Sequence, residues 1–407
     1  MLKTLQRIAF ERVGGSLEER KVFDILSDEV RSREIEPTLE SFEVDSFKAG
    51  EGTVEVLAEE PVSFKVNPVG LSGNADVTGK ARFVESAKLT YLEKAEADII
   101  LLLPEKIKYE QYKKLHELGI SAFLLVNNPG KTPGYPSLKR TFTERFGKIP
   151  GAVISYEAGR RIISENDTPI HLVTQQEEFR GESHNLVATI PGDIADEEIL
   201  LCAHADSVAD SPGAVDNGAG CVELLGILGH FAKNRPKRTL RFCFFGSEEL
   251  GLLGSQTYVE AHKDELDKIR LVINLDLGGD IFGDNRAIVT GPKEITNYID
   301  SRSKLRGLGL KVSSDIYSSD NMPFAKKGIP TVSFGRSGLG ASLGHSADDD
   351  LRNVDERSLR SMAEIALDFT AEMANAQAFP FKKEMPDDIA EKVDEYFRER
   401  MGLEKAA

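Results

Sequence analysis

EILLCAHADSVADSPGAVDNGAGCVELLGILGHFAKNRPKRTLRFCFFGSEELG, residues 198–251, decides the fold. Two apolar runs, Ile199 to Ala203 and Leu240 to Phe245, end abruptly in acid and imidazole side chains, and the apolar-periodic stretch between them reads as a helix. That is a strand–helix–strand unit with its reactive groups at the strand ends. In open α/β sheets helices cover both faces, so ligands bind in the crevice beyond the carboxyl ends of the strands. His204, Asp206, Asp216, Glu248 and Glu249 all fall there.

These residue types point to divalent-cation chemistry. His-Ala-Asp on an extended segment turns His204 and Asp206 the same way. One can hold a metal while the other supports it, since a ligating imidazole usually donates its second ring N–H to a carboxylate or carbonyl. Asp216 lies in SPGAVDNGAG, whose proline and glycines let the backbone turn sharply before a helix begins near Asn217. Glu248 and Glu249 are sequence neighbours whose side chains point apart. One can therefore bind metal while the other faces substrate as a base.

The segments AHADS, SPGAVDNGAG, FGSEELGLLGS, NLD and GHSADDD, in this order and spacing, resemble the co-catalytic dinuclear zinc aminopeptidase family, over roughly residues 1–48 and 178–377. The resemblance implies a metal-dependent exopeptidase acting on the N-terminal residue of a peptide substrate. It also implies the zinc-exopeptidase α/β fold, a mixed, mostly parallel sheet covered by helices on both faces. Carried over residue by residue, it makes His204, Asp216 and Glu249 the ligands of one metal ion. Asp216, Asp276 and His345 become the ligands of the other, with Asp216 bridging. Glu248 is then the general base and Asp206 the carboxylate that orients His204. Relatives carry a tyrosine that donates to the oxyanion, and Tyr317 is the matching candidate, with a core tyrosine as the alternative. The implied cofactor is a pair of divalent ions, Zn2+ with Co2+ as the alternative. The family often holds the peptide bond after the bridging aspartate in the cis form, which here is Asp216–Asn217.

Charge counting agrees: two dications against three ligand carboxylates and one bridging hydroxide leave such a centre near neutral. Two metals about 3.5–4 Å apart can clamp an attacking water and a carbonyl oxygen, and the pKa of bound water falls to about 7. Glu248 would take the water's proton and pass it to the leaving amine, a role worth about 10²–10⁴-fold.

The 407 residues allow two to three domains and a large core. A formal charge of −16 argues against nucleic acid and anionic membrane surfaces as partners, because both would repel it. Cys202, Cys221 and Cys243 all sit in apolar runs, which reads as reduced core cysteine and not a disulfide framework. The opening MLKTLQRIAFERVGG has no apolar stretch of signal-peptide length, and no 18-residue apolar run occurs anywhere. A cytoplasmic enzyme is the expected setting.

Residues 1–48 and 178–407 read as the catalytic domain, residues 386–407 being an extra charged helix. That helix is expected on its own chain, with a homo-oligomer contact as the alternative. Ser16 followed by Glu19 fits a capping box at the start of the second helix. The style of the chain changes around Lys48–Gly52, and residues 49–177 become β-rich, punctuated by Asn-Pro-Gly and Lys-Ile-Pro-Gly. ILLLPEK, GISAFLLVN and KIPGAVISYEAGRRII resemble the protease-associated domain that some family members insert. His116 and His171 of this insert, like His184, His230 and His262, lack acidic company at ligand spacing and read as structural.

A non-catalytic binding protein of the transferrin-receptor kind is the rival from another class, and the presence of every ligand and the base weighs against it. A cyclase is a further alternative on this scaffold, and so is a carboxypeptidase. The latter would need a guanidinium to grip a carboxylate, and Arg336, nine residues before His345, is the candidate for substrate binding.

Overall fold

The computed structural model describes residues 1–93, 95–165 and 168–403, and the chain divides into two compact units. The first comprises Met1–Val44, Gly181–Gly344 and Asp348–Asp394; the second comprises Asp45–Arg180, His345–Ala347 and Glu395–Ala407. The strands are β1 Thr38–Val56, β2 Val62–Pro68, β3 Ala75–Phe83, β4 Ile100–Leu103, β5 Ala122–Val126, β6 Gly151–Ile154 and β7 Pro169–Ile190. They continue with β8 Ile194–His204, β9 Arg238–Phe245, β10 Ile269–Leu275, β11 Gly283–Thr290, β12 Leu310–Ser314 and β13 Thr331–Gly338.

In the first unit the strand order is β7-β9-β8-β10-β13-β11-β12. The pairs β9–β8, β8–β10 and β10–β13 are parallel, whereas β7 runs antiparallel to β9 and β11 to β13. The sheet is therefore mixed and mostly parallel, as the sequence predicts. Its central strands are apolar on both faces because both faces are covered. Ile199, Leu201 and Ala203 pack into one core with helices Leu2–Ile8, Leu17–Arg31, Ala219–Phe231 and Glu356–Asn375. Leu200 and Cys202 pack on the other face against Tyr258, Val259 and Phe324 of two further helices. Helix Ala219–Phe231 is apolar nearly all round and is buried accordingly. All three cysteines are free thiols in this interior.

In the second unit the order is β1-β2-β6-β5-β4-β3-β7, and β1 also pairs with β7, so the sheet returns on itself. β4, β5 and β6 are parallel and nearly all buried. The break in style at Lys48–Gly52 is not a break in structure, because β1 runs straight through it. Gly50 and Gly52 sit there because β7 comes so close that a Cβ would strike the carbonyls of Gln175 and Val173. The helix after the Glu248–Glu249 turn begins only at Leu253, because Gly251 and Leu252 are left-handed (φ 125° and 59°). The approach to the helix at Asn217 is a π-turn, Ala214–Gly218, and the α-helix proper starts at Ala219. The segment Lys293–Leu305 is helical, and Gly307 beyond it is left-handed. Among the described residues, no helix is long and apolar enough to cross a membrane.

Candidate metal centre

His204 is the last residue of β8, and β9 beside it ends at Phe245 in matching register. Asp276 follows β10 directly. Parallel neighbours thus release their chains at one edge, and the turns that follow carry the site. Of the sequence-expected residues, His204, Asp216 and Glu249 form a group of possible ligands whose donor atoms all lie within 4.8 Å of one another. His204 Nε2 is 3.2 Å from Asp216 Oδ1 and 3.6 Å from Asp276 Oδ1. A nitrogen and several carboxylate oxygens converging on one point suit Zn2+, whose usual donors they are. His204, Asp216 and Glu249 thus fit one divalent ion of the kind the motifs imply.

The electrostatics tell the same story from the other side. Burial alone would lower the His204 pKa, but Asp206, Asp216 and Asp276 together hold it well above the usual histidine value. Loss of water pushes the Glu248 carboxyl well above the ordinary carboxylate range; Glu249, Asp320 and Asp276 push the same way and His204 opposes them. So many acids around one imidazole form a ready seat for positive charge. Tyr317 shares this field: burial, then Asp276, Asp216 and Glu248, push its hydroxyl well above the usual tyrosine value, so it stays a proton donor.

Asp206, fully buried, does more than orient His204. Its Oδ1 is 3.4 Å from His204 Nδ1 and accepts the Glu248 N–H at 3.0 Å, while Oδ2 accepts the Glu249 N–H at 3.1 Å. One carboxylate thus sits beside the His204 ring and holds the turn that presents Glu248 and Glu249. The π-turn with Asp216 is gripped by Asp349, whose oxygens accept the N–H groups of Val215 (2.8 Å) and Asp216 (3.0 Å). Burial, reinforced by Asp216, pushes Asp349 up to about 6. The Asp216–Asn217 bond is cis, as the sequence led us to expect. Asn217 is locked by its Nδ2 donating to Leu275 O and its Oδ1 accepting from Gly220 N. Ser247 and Leu277 flank the site residues in left-handed conformations (φ 54° and 65°), a form of stored strain that clusters at functional loops.

His345 is also left-handed (φ 62°) and belongs to the second unit, with its carbonyl against Gly134. It is not part of the close group of His204, Asp216 and Glu249. Arg336 lies on β13 with its guanidinium engaged by the loop after Asp276. Its Nε donates to Asp280 O at 2.6 Å and its Nη1 to Asn285 Oδ1 at 2.9 Å. It tethers that loop. The other histidines are structural in kind: His184 is buried beside Arg20, His262 meets Glu40, and His171 meets Asp76.

Four residues at the site carry no role in the sequence reading. Asp349 stood within a quoted motif, and its signal was the run of acids after His345. Asp320, fully buried, is pushed up to about 7 by burial and by Asp206 and Asp276, against the pull of His204. Its signal was a Ser-Asp pair three residues beyond Tyr317. Arg12 and Glu19 come from the N-terminal segment and left no local signal of this role.

The model of Peptidase family M28 matches residues 185–370, the part of the chain that carries most of these motifs. An aminopeptidase of Pseudomonas aeruginosa is 30% identical over 224 residues, 54% of this chain and 41% of that protein. The chain spans about half the length of the curated relatives it matches. An aminopeptidase from Aneurinibacillus sp. strain AM-1 superposes with a TM-score of 0.78 at 22% identity, covering 93% of this chain and 94% of that one. A zinc aminopeptidase from Bacillus subtilis gives 0.75 at 22% identity, over 95% and 97%. These two likenesses show the fold.

Proposed function

We propose that the protein is a metal-dependent exopeptidase that removes the N-terminal residue of peptides. The observation that carries this reading is the convergence of Asp216, Asp276 and Glu249 on His204, with Glu248 held beside them by Asp206. The names of the relatives, aminopeptidases and a zinc aminopeptidase, point the same way. His204, Asp216 and Glu249 would hold one ion, and Asp216, Asp276 and His345 the other. When bound, the pair supplies a polarised carbonyl and an acidified water.

The chain's own residues do the rest. Glu248 accepts the proton of the attacking water and delivers it to the departing amine, and its desolvated setting favours the protonated half of that cycle. Tyr317 keeps its proton and donates to the oxygen that becomes negative. Asp206 keeps Glu248 and His204 in register through both steps. The excess of carboxylates favours a substrate's ammonium end. Arg336 has two donors committed to Asp280 and Asn285, which disfavours the carboxypeptidase alternative. Residues 49–177, the greater part of the second unit, are read as the protease-associated-like insert.

A panel of peptides with free, N-acetylated and C-amidated ends tests this, with each product identified by mass. N-acetylation should abolish turnover and C-amidation should leave it nearly intact; tolerance of acetylation with failure on amides would make the protein a carboxypeptidase.

A further inference from the structure

The buried groups that the proposed chemistry does not use include an arginine and a glutamate on one short segment, Phe10–Glu19, which links the first two helices and forms the first turn of the second. We infer that Arg12 and Glu19 are positioning residues of the metal centre. Arg12 fixes the loops that carry the metal-holding side chains, and Glu19 fixes the turn that carries Glu248. This rests on the function proposed above.

Arg12 is fully buried. Its guanidinium donates to four main-chain carbonyls: Nε to Ala205 O (2.5 Å), Nη1 to Phe10 O (3.0 Å) and Pro212 O (2.6 Å), and Nη2 to Gly213 O (2.8 Å). The main chain adds two bonds, Arg12 N–H to Ser207 Oγ at 3.1 Å and Ser207 N–H to Arg12 O at 3.2 Å. Ala205 follows His204, and Gly213 precedes Asp216 by three residues. One rigid fork therefore spans the two loops whose relative position decides whether His204 and Asp216 can share an ion. Gly213 is left-handed (φ 55°), and a Cβ there would stand 2.9 Å from Arg12 Nη1. An apolar side chain filling the same volume would serve stability as well, because a buried charge is costly to desolvate. What the guanidinium adds is geometry: five donors in a fixed plane.

Glu19 is also fully buried. Its Oε2 accepts the Gly15 N–H at 2.7 Å, one residue before the N-cap, and Ser16 Oγ accepts the Glu19 N–H. Its Oε1 does something a capping glutamate has no need to do. It accepts the Ser247 N–H at 3.0 Å and the Ser183 hydroxyl at 2.9 Å. Ser247 is the left-handed residue just before Glu248, so Glu19 holds the strained link from which the base projects.

The two residues should separate experimentally. In the full chain stripped of metal, Zn2+ affinity is measured by competition with a chelating dye, kcat and KM with leucyl-p-nitroanilide at saturating Zn2+, and apoprotein stability by urea. Arg12→Lys keeps the charge but cannot span four carbonyls. It should weaken Zn2+ binding by about 10–100-fold, the usual effect of losing a group that supports a ligand. Glu19→Gln places an amide N–H2 against a backbone N–H. It should bind Zn2+ as the parent does but lose about tenfold or more in kcat, with KM unchanged, for one charge-assisted hydrogen bond lost. Ser207→Ala, which removes only the hydroxyl that accepts from Arg12, is the milder companion should Arg12→Lys fail to fold, and it should weaken Zn2+ binding too. Parallel loss of urea stability, Zn2+ affinity and kcat in the Arg12 and Glu19 variants would reduce the segment to a structural staple and overturn the inference. So would parental Zn2+ affinity in Arg12→Lys or, where that variant does not fold, in Ser207→Ala. A parent chain that binds no Zn2+ would instead sink the metal reading itself.

Discussion

Asp206→Asn is the most informative single change at the centre. The parent carboxylate accepts two backbone N–H bonds, from Glu248 at 3.0 Å and Glu249 at 3.1 Å, and lies 3.4 Å from His204 Nδ1. An asparagine keeps shape and volume but can accept at only one of the two positions, and its amide N–H2 then opposes a backbone N–H. A hydrogen bond to a charged group contributes about 1.5–3 kcal/mol. Asp206 is fully buried, so water cannot replace the missing bond. If that energy is expressed in the placement of Glu248, it corresponds to roughly 10–150-fold in kcat/KM at about 1.4 kcal/mol per tenfold. The assay is steady-state hydrolysis of leucyl-p-nitroanilide across a Zn2+ titration, with the urea midpoint recorded alongside. An Asn variant within about twofold of the parent at saturating Zn2+ would refute the idea that this carboxylate governs the base.

Three other outcomes follow from the same geometry. Glu248→Gln should retain Zn2+ and fold but lose about 10²–10⁴-fold in turnover, whereas Glu249→Gln should weaken Zn2+ binding; the reverse pattern in metal analysis would swap their roles. His204→Ala and Asp216→Ala should each lose metal as well as rate, and chelation of the parent should abolish activity until Zn2+ is restored; full activity in metal-free protein would contradict this. His184 is buried, and burial and Arg20 lower its pKa below 6.5. The unfolded chain therefore takes up a proton at a higher pH than the fold does, so stability should fall as pH drops below about 6.5, by at most about 1.4 kcal/mol per pH unit from this group. Urea titrations at pH 7 and 5.5 should show a flatter slope in His184→Gln, and an unchanged slope would remove His184 as the cause.

What could be read ahead of the structure was whatever leaves a local pattern. The doubly covered strands β8, β9 and β10 announce themselves as mainly apolar runs, and the acids and histidine stand at their ends, where a strand pattern cannot use them. The cap at Ser16, whose Oγ accepts the Glu19 N–H, was equally legible, although the glutamate's side chain bonds Gly15 in place of the N-cap. The strand β11 was not, because Gly-Asp-Asn at its start reads as a turn and only pairing with β13 makes it extended. Nor was β1 as one strand, since its glycines look like a linker until β7 is placed against them. Arg12, Glu19 and Asp349 act through bonds to main-chain groups more than a hundred residues distant, and no spacing rule reaches that far.

The capping glutamate of the second helix also bears on how the protein is made. Its outer partners, Ser183 and Ser247, lie 164 and 228 residues further along the chain. At about 5–20 residues per second, roughly 10–45 seconds separate the synthesis of Glu19 from that of Ser247. Val22, Phe23, Leu26 and Val30 on the same helix wait as well, because the next members of the core they join begin at Leu186. For that interval the apolar side chains of this segment have no core to cover them, and the exposed patch of the nascent chain is one that the finished molecule no longer shows.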